Sequence, residues 1–199
     1  MTAPTSIKEL KKALRAEALE RRDRLDPQFR IEASLAMAER AAARLPVELG
    51  TVVSCFWPMR SEVDVRPMMS ALTDKGARIV LPALLDKTTM VFRELVRGAE
   101  MVDMGFGTSG PGPDAAVLDP GLMLVPLAAF DNRGHRIGYG AGYYDRAIGN
   151  LHARGLYPRL VGIAFECQEV SRVPDEPHDV HLPEILTERG FRAMPEAGA

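Results

Sequence analysis

The 199-residue sequence has few cysteines, no long apolar runs and almost no net charge. Two cysteines, Cys55 and Cys167, are too few for a disulfide scaffold or for a zinc site with four cysteine ligands. No apolar run approaches the ~18 residues of a membrane span, so we expect no membrane insertion. The 25 basic and 27 acidic residues give a formal charge of −2. Such a balance argues against a protein that coats nucleic acid.

The remaining composition is typical of a folded globular protein. Hydrophobic residues make up 46% of the chain and charged residues 26%, and we expect residues 1–199 to form a single domain. The N-terminal stretch MTAPTSIKELKKALRAEALERR contains neither an apolar core nor a small-residue cleavage site. It does not resemble a secretory signal, and we expect a cytoplasmic protein.

Two helices are predicted at the start of the chain. Ser6 has an acidic residue three positions later, which is the capping-box spacing at the beginning of a helix over 6–25. The Asp26-Pro27 dipeptide begins a second helix, which Pro46 ends. Both segments repeat their apolar residues with the helical period, so each has one face to bury.

From residue 50 onwards, apolar runs alternate with helical patterns. Strands are predicted at 50–57, 77–84, 88–95, 121–130 and 159–165. Helices are predicted at 65–75 and 143–153. The glycine-rich segment 98–114 is predicted to be a loop, and the last ten residues to be frayed. The alternation indicates an α/β sandwich with a mostly parallel sheet, on which the two N-terminal helices pack.

The strongest local signal is FDNRGHRIGYGAGYYDR at 130–146, between a buried strand and a helix. Its glycines alternate at Gly138, Gly140 and Gly142. Free backbone N–H groups in such a loop, next to a helix N-terminus, form a cradle for phosphate. Arg133 and Arg136 could add positive charge, and Asp145 could hold Mg²⁺. The alternative is a turn that only reverses the chain, because the segment is neither a Walker A loop nor a dinucleotide fingerprint.

Three other groups of residues are candidates. Lys11 and Arg15 lie on one helix face and could meet a polyphosphate, although charge on such a helix usually faces solvent. Trp57 and Glu62 follow a strand. Trp57 could stack on a flat heterocycle and Glu62 could accept hydrogen bonds from it. The alternative is that Trp57 packs in the core and Glu62 is a solvated loop residue. A polar cluster matches no zinc spacing: Asp175, Glu176, His178, Asp179 and His181.

Taken together, these segments resemble the 5-formyltetrahydrofolate cyclo-ligases, also called methenyltetrahydrofolate synthetases. The most specific motif is VPLAAFDNRGHRIGYGAGYYDR, which ends at residue 146. The segments KKALR at 11–15, FWPMRSEVD at 56–64 and EPHDVHLPEILTERG at 176–190 follow the same family in the same order. The resemblance covers nearly the whole chain. It implies a three-layer α/β/α sandwich. It also implies the conversion of 5-formyltetrahydrofolate into 5,10-methenyltetrahydrofolate, a reaction that consumes ATP and requires Mg²⁺.

The resemblance also implies roles for individual residues. ATP would contact Lys11, Arg15, Arg136, Gly138, Tyr139, Gly140, Ala141, Gly142, Tyr143 and Tyr144. The reduced folate would face Trp57, Glu62, Tyr139, Gly140, Ala141, Gly142 and Tyr143. The catalytic residues would be Arg136, Tyr143 and Asp145, and the metal ligands Asp145 and Asp179. Where the family pattern carries a further acid this chain has Pro183, and the neighbouring Glu184 is the candidate replacement.

Other functions remain open from the sequence. A dinucleotide-dependent oxidoreductase would need an early GxGxxG motif, which is absent from the sequence. A non-catalytic nucleotide-binding module, or a divergent member with another substrate, would share the fold. We expect a reduced folate as the partner, no nucleic acid or membrane partner, and a monomer or weak homo-oligomer.

Overall fold

The structure is a computed structural model that describes residues 6–105 and 108–196, in which helices and strands alternate. The α-helices are α1 (Ile7–Asp23), α2 (Pro27–Arg44), α3 (Arg66–Asp74) and α4 (Tyr143–Ala153). A short 3₁₀ helix occupies Glu166–Gln168. The strands are β1 (Val52–Ser54), β2 (Arg78–Leu84), β3 (Met90–Glu94), β4 (Met101–Asp103), β5 (Ser109–Pro111), β6 (Leu122–Pro126), β7 (Ala129–Phe130), β8 (Arg136–Ile137), β9 (Arg159–Ile163), β10 (Glu184–Thr187) and β11 (Gly190–Ala193).

Seven strands form the central sheet, in the order β11-β10-β9-β6-β1-β2-β3. The strands from β10 to β2 run parallel to one another, and β11 and β3 are antiparallel strands at the two edges. The remaining strands pair as two separate hairpins, β4 with β5 and β7 with β8. The predicted α/β fold with a mostly parallel sheet is confirmed.

Alternate residues of the central strands enter two separate apolar cores. In β6, Leu122 and Leu124 pack with α2 and α3, whereas Met123 and Val125 pack with α4. Successive side chains of a strand point to opposite faces, so β6 is buried on both sides. Helices therefore cover both faces of the sheet, which gives the three layers that the family resemblance implies.

The two N-terminal helices are placed by different partners. α2 packs on the sheet, as predicted, whereas α1 lies against the 3₁₀ helix and the β7–β8 hairpin. Leu14 and Ala18 of α1 pack with Ala129 and Ile137 of that hairpin. The other residues of α1 are thereby brought next to the glycine-rich segment that follows β8. Within the described residues, no helix combines the length and apolarity needed to cross a bilayer.

Two predictions about irregular segments are wrong in part. Segment 98–114 is not all loop, because β4 and β5 form a hairpin that packs on β2 and β3. Residues 106 and 107 of that segment lie outside the described residues. The run at 121–130 is not one strand, since β6 ends at Pro126 and β7 belongs to a different hairpin. In both cases the pairing of very short strands, which periodicity does not report, sets the strand boundaries.

The C-terminal region is also more ordered than predicted. β11 occupies the first part of the last ten residues, and residues 197–199 lie outside the described part. The sequence does not predict β10 because Glu184 and Thr187 interrupt its apolar pattern, although all four of its residues are buried. Ion pairs from Arg44 and Arg159 compensate the buried Glu184 carboxylate.

We predict that Gly162 of β9 tolerates no larger side chain. A Cβ atom there would lie 2.7 Å from Leu182 Cδ1 and 3.0 Å from Leu127 Cδ2. Gly162→Val should lower the free energy of unfolding by about 1–3 kcal/mol through overpacking. Gly149 of α4 faces open space, so Gly149→Ala should raise it by up to ~1 kcal/mol. Urea unfolding of both variants measures these free energies. Equal stability of Gly162→Val and the parent would contradict the close packing around Gly162.

Candidate active site

Two clefts meet at the carboxyl ends of β1 and β6. The chain crosses from β1 to β2 on one side of the sheet and from β6 to β9 on the other, so the strand order reverses between β1 and β6. Open α/β sheets bind ligands at such a switch point. The loop at 138–142, between β8 and α4, separates the two clefts.

The first cleft, here called the apolar cleft, has a volume of about 610 Å³. Most of the apolar side chains that line it come from α1, from the segment after β1, from β2 and β3, and from the residue after β4. They are Leu19, Phe56, Trp57, Met59, Pro82, Leu84, Met90 and Met104. Trp57 and Glu62, for which the sequence left core and loop roles as the alternative, line this same cleft. Such a surface suits a flat, largely apolar ligand.

The second cleft, here called the polar cleft, has a volume of about 950 Å³. Its basic side chains come mainly from α1 and α4: Lys8, Lys11, Lys12, Arg15, Arg136 and Arg146. Its acids are Asp145, Glu176 and Asp179. Four residues line both clefts: Arg136, Gly138, Gly142 and Asp145. A ligand in one cleft therefore lies next to a ligand in the other.

Glu62 supplies a buried carboxylate to the apolar cleft. Its Oε2 accepts a hydrogen bond from the backbone N–H of Met59 at 2.8 Å, and its Oε1 accepts one from the Tyr139 hydroxyl. Arg22 Nη1 lies 4.0 Å from the same Oε1. Burial raises the pKa of Glu62, and the bonds from Tyr139 and Met59 and the charge of Arg22 oppose that effect only in part.

Arg22 is the site residue that sequence reasoning missed. Charge on such a helix usually faces solvent, but Arg22 is 2% exposed. Its Nε donates to Ser61 Oγ at 3.0 Å and its Nη1 to the Tyr139 hydroxyl at 2.7 Å. The available signal was spacing, because Arg22 follows Arg15 by seven residues with the buried Ala18 between them, on one helix face.

The glycine loop is shaped by backbone conformations that favour glycine. Gly140 has φ +105° and Gly142 has φ +65°, both in the left-handed region. Arg15 Nε donates to the Gly138 carbonyl at 2.7 Å, which ties α1 to the loop. α4 begins directly after Gly142, and its N-terminus carries the partial positive charge of the helix dipole. The predicted anion cradle thus has its parts in one place.

The ion pair between the buried Arg136 and the half-buried Asp145 lies where the two clefts join. Arg136 Nη1 donates to Asp145 Oδ1 at 3.0 Å and to the Val180 carbonyl at 2.9 Å. The same Oδ1 accepts the Val180 N–H at 3.0 Å. Arg136 Nε is buried and has no partner among the described residues. It is a donor that a ligand or an ordered water could satisfy.

The tyrosines of the loop lie on one side of it. Tyr139, Tyr143 and Tyr144, with Ala141, line the apolar cleft, whereas Gly140 lines the polar cleft. Residues expected to contact both ligands are therefore divided between the two clefts. Burial raises the pKa of Tyr144, whose hydroxyl is buried without a hydrogen-bond partner among the described residues.

Glu176, His178 and Asp179, at one side of the polar cleft, form a group with the geometry of a possible cation site, and Asp145 is not part of that group. Ligand atoms of Glu176, His178 and Asp179 lie within 4.8 Å of one another. Lys11 Nζ donates to Glu176 at 2.9 Å and to Asp179 at 2.6 Å. Burial favours a lower pKa for Lys11, but these two carboxylates outweigh it and the pKa is raised. Asp145 and Asp179 thus line one cleft, where carboxylate oxygens suit Mg²⁺.

Two residues suggested from the sequence lie elsewhere. Arg133 pairs with the buried Asp131 and with Asp175, and it lines neither cleft. Glu184 is held by Arg159, as described above, and also lines neither cleft. Neither therefore supplies charge to the candidate site.

Comparisons with known proteins agree with one another. A sequence model of the 5-formyltetrahydrofolate cyclo-ligase family matches residues 7–188. The 5-formyltetrahydrofolate cyclo-ligase of Escherichia coli K12 is 30% identical over 174 residues, covering 84% of this chain and 94% of the relative. The structure of a 5,10-methenyltetrahydrofolate synthetase from Aquifex aeolicus is similar, with TM-score 0.77 and 25% identity. That match covers 96% of this chain and 95% of the other.

We predict that removing the Arg22 side chain destabilises the fold in a pH-dependent way. The pKa of Glu62 is raised on folding, so its ionised form weakens the fold once the pH exceeds that pKa. Arg22→Met removes a cation that favours the ionised form. The loss should reach on the order of 3 kcal/mol at about pH 8. It should be smaller below the ordinary Glu62 value of 4.5, where the carboxyl is protonated in both states.

Urea unfolding at several pH values measures this effect. Arg24→Met is the matched control, since the exposed Arg24, directly after the same helix, pairs among the described residues with Glu20 alone. The control substitution should change the free energy of unfolding little at any pH. A loss for Arg22→Met that is no greater at high pH than at low pH would rule out the coupling to Glu62.

Proposed function

The chain belongs to the 5-formyltetrahydrofolate cyclo-ligase family, and on that premise we propose that it converts 5-formyltetrahydrofolate into 5,10-methenyltetrahydrofolate. In the proposed reaction ATP is cleaved to ADP and phosphate in the presence of Mg²⁺. The observation that carries this proposal is the pair of adjoining clefts, one apolar and one strongly charged, with Arg136 and Asp145 in their common wall.

The apolar cleft is the proposed folate site. The pyrimidine half of a reduced pterin is flat and presents several N–H groups along one edge. Trp57 offers an aromatic face, and the buried Glu62 carboxylate accepts hydrogen bonds. Arg22 and Tyr139 hold that carboxylate in position, so the substrate would meet an acceptor that is already oriented.

The polar cleft is the proposed nucleotide site. Lys11 and Arg15 would meet the polyphosphate, together with the glycine loop and the N-terminus of α4. Asp145, Asp179 and Glu176 have the oxygen donors that Mg²⁺ prefers. When bound, Mg²⁺ would offset phosphate charge during transfer. Because Lys11 is the present partner of Glu176 and Asp179, a polyphosphate that attracts Lys11 would free both carboxylates.

The proposed chemistry explains why the clefts adjoin. A formamide oxygen is a poor leaving group, so attack by N10 on the formyl carbon needs that oxygen to be activated first. In the proposed first step a bond forms between the formyl oxygen and the γ-phosphorus while the bond to the ADP oxygen breaks. N10 then attacks the formyl carbon and loses its proton, and the carbon–oxygen bond breaks with release of phosphate. Arg136, in the common wall, would stabilise the transferred charge.

The direct test combines purified protein with 5-formyltetrahydrofolate, ATP and Mg²⁺ and follows the near-ultraviolet absorbance of the methenyl product. We expect a rise that requires all three components and is matched by release of one phosphate for each product formed. A folded protein that binds ATP but produces no absorbance change would overturn the proposed reaction.

We predict that Asp145→Asn abolishes most turnover without unfolding the protein. The change removes the charge that pairs with Arg136 and one oxygen donor proposed for Mg²⁺. We expect kcat to fall by roughly 10²-fold or more, as for loss of a group that stabilises transition-state charge. Asp119→Asn, at an exposed pair with Arg154, is the control and should leave kcat unchanged. Turnover by Asp145→Asn close to that of the control would remove Asp145 from the reaction.

We predict that Glu62→Gln weakens the binding of the folate and leaves the binding of the nucleotide unchanged. The KM for 5-formyltetrahydrofolate should rise about tenfold, the value of a charge-assisted hydrogen bond, with the KM for ATP unchanged. In the parent, the KM for folate should fall as the pH rises through the raised pKa of Glu62, because the ionised form is the acceptor. Glu62→Gln should lose that dependence. Glu39→Gln, on the exposed side of α2, is the control, and an equal rise in both KM values would contradict the assignment.

A further inference from the structure

Arg146 joins separate parts of the polar cleft through contacts that none of the proposed roles uses. Its Nε donates to the Thr88 carbonyl at 3.0 Å, and its Nη2 donates to the Ala141 carbonyl at 2.8 Å. Its guanidinium also lies over the Tyr143 ring, 5.1 Å from the ring centroid. One exposed side chain in the first turn of α4 thus connects the turn between β2 and β3 to the glycine loop.

The glycine loop has few backbone bonds of its own. Its N–H groups donate to no described residue. Two of its carbonyls are held by arginines, Gly138 by Arg15 Nε at 2.7 Å and Ala141 by Arg146. A Cβ atom at Gly142 would lie 3.0 Å from Arg146 Nη1, so the guanidinium packs directly on the loop. Side chains from outside the loop therefore decide its shape.

Holding a carbonyl also fixes the amide group that follows it. A peptide group is planar and trans, so the C=O of one residue and the N–H of the next point in opposite directions. Arg146 therefore sets the direction of the Gly142 N–H when it holds the Ala141 carbonyl. Several N–H groups bind a phosphate well only when they converge on it, and glycines by themselves do not impose one conformation.

The turn that supplies the second partner of Arg146 is held by its own hydrogen bonds. Asp86 Oδ1 accepts bonds from the Thr88 N–H at 2.7 Å, the Thr88 hydroxyl at 2.8 Å and the Thr89 N–H at 2.8 Å. These bonds fix the Thr88 carbonyl that Arg146 meets. Thr88 and Thr89 line the polar cleft, whereas Asp86 lines neither cleft. Asp86 therefore acts on a ligand there through this turn or through its charge.

We propose that Arg146 is a positioning residue for the polyphosphate. By holding the Ala141 and Thr88 carbonyls together, it keeps the glycine loop in the shape that presents its N–H groups to phosphate. The inference rests on the proposed function, because it takes a nucleotide as the occupant of the polar cleft. Arg146 acts through the backbone rather than by contact with the ligand. The planar guanidinium, which donates in two directions at once, is the part of the side chain that this role requires.

Isothermal titration calorimetry with inorganic tripolyphosphate, ATP and adenosine tests the role without turnover. Arg146→Met removes both hydrogen bonds and the charge, whereas Arg146→Lys keeps the charge and lacks the planar fork. Arg154→Met is the matched control, since Arg154 lies at the other end of α4 and pairs with Asp119 at the surface. Circular dichroism and urea unfolding establish that each variant is folded.

We expect Arg146→Met to raise the Kd of tripolyphosphate and of ATP about tenfold, and that of adenosine by less than about twofold. Arg146→Lys should stay within about twofold of Arg146→Met, because an ammonium group cannot replace the fork. Arg154→Met should match the parent. Recovery of tripolyphosphate binding by Arg146→Lys would mean that charge alone acts, and it would overturn the inference. An equal loss of affinity for adenosine would also overturn it.

A double-mutant cycle tests the contribution of the turn. Asp86→Ala removes the acceptor that shapes the turn, whereas Asp86→Asn keeps an oxygen there. Asp86→Ala should raise the Kd of tripolyphosphate about threefold, although loss of a negative charge alone would lower it, and it should have no further effect in Arg146→Met. Asp86→Asn should bind at least as tightly as the parent. Equal effects of Asp86→Ala in the two backgrounds would contradict the coupling.

The failure of this inference differs from the failure of the proposed reaction. Weaker tripolyphosphate binding by Arg146→Met, with no methenyl product from the parent, would reject the reaction and leave the role of Arg146 standing. Product from the parent, with unchanged binding by Arg146→Met, would reject the role and leave the reaction standing. A parent that binds neither tripolyphosphate nor ATP would overturn both.

Discussion

The ion pair between Arg136 and Asp145 is the constraint on which the candidate site depends. It joins the end of β8 to the first turn of α4 across the glycine loop, and Val180 bonds to both partners. Arg136 is almost fully buried, and a buried charge of this kind is tolerated only with a partner. The pair therefore fixes both ends of the loop that forms the wall between the clefts.

α1 acts as a scaffold for both clefts, although it barely touches the main sheet. Its apolar residues pack on the β7–β8 hairpin, so its position follows that of the glycine loop. From there Lys11 and Arg15 reach the polar cleft and Arg22 reaches the apolar one. A displacement of this helix would change the charge in both clefts at once, which gives a physical reason for its contact with the loop rather than with the sheet.

Most of the fold and part of the site followed from local patterns in the sequence. The helices and the parallel strands have strong periodicity or continuous apolar runs, and the glycine loop carries its own conformational signal. β10 does not, because its ion pairs join it to residues distant in the chain. The β4–β5 hairpin pairs locally, but its strands are only three residues long and lie in a glycine-rich segment. The role of Arg22 was also not predictable from local patterns. The sequence shows its charge, but its partners Ser61 and Tyr139 lie 39 and 117 positions away.

The turn at Met59–Glu62 contains two features that lower the stability of the fold. Folding here buries a carboxylate at Glu62 and forces Arg60 into a left-handed backbone, and each of these costs free energy. A glutamine at 62 and an asparagine at 60 would lower both costs while keeping the turn. The residues present instead place one acceptor deep in the cleft and one cation at its exposed side. Both features lower the stability of the folded protein in the absence of a ligand.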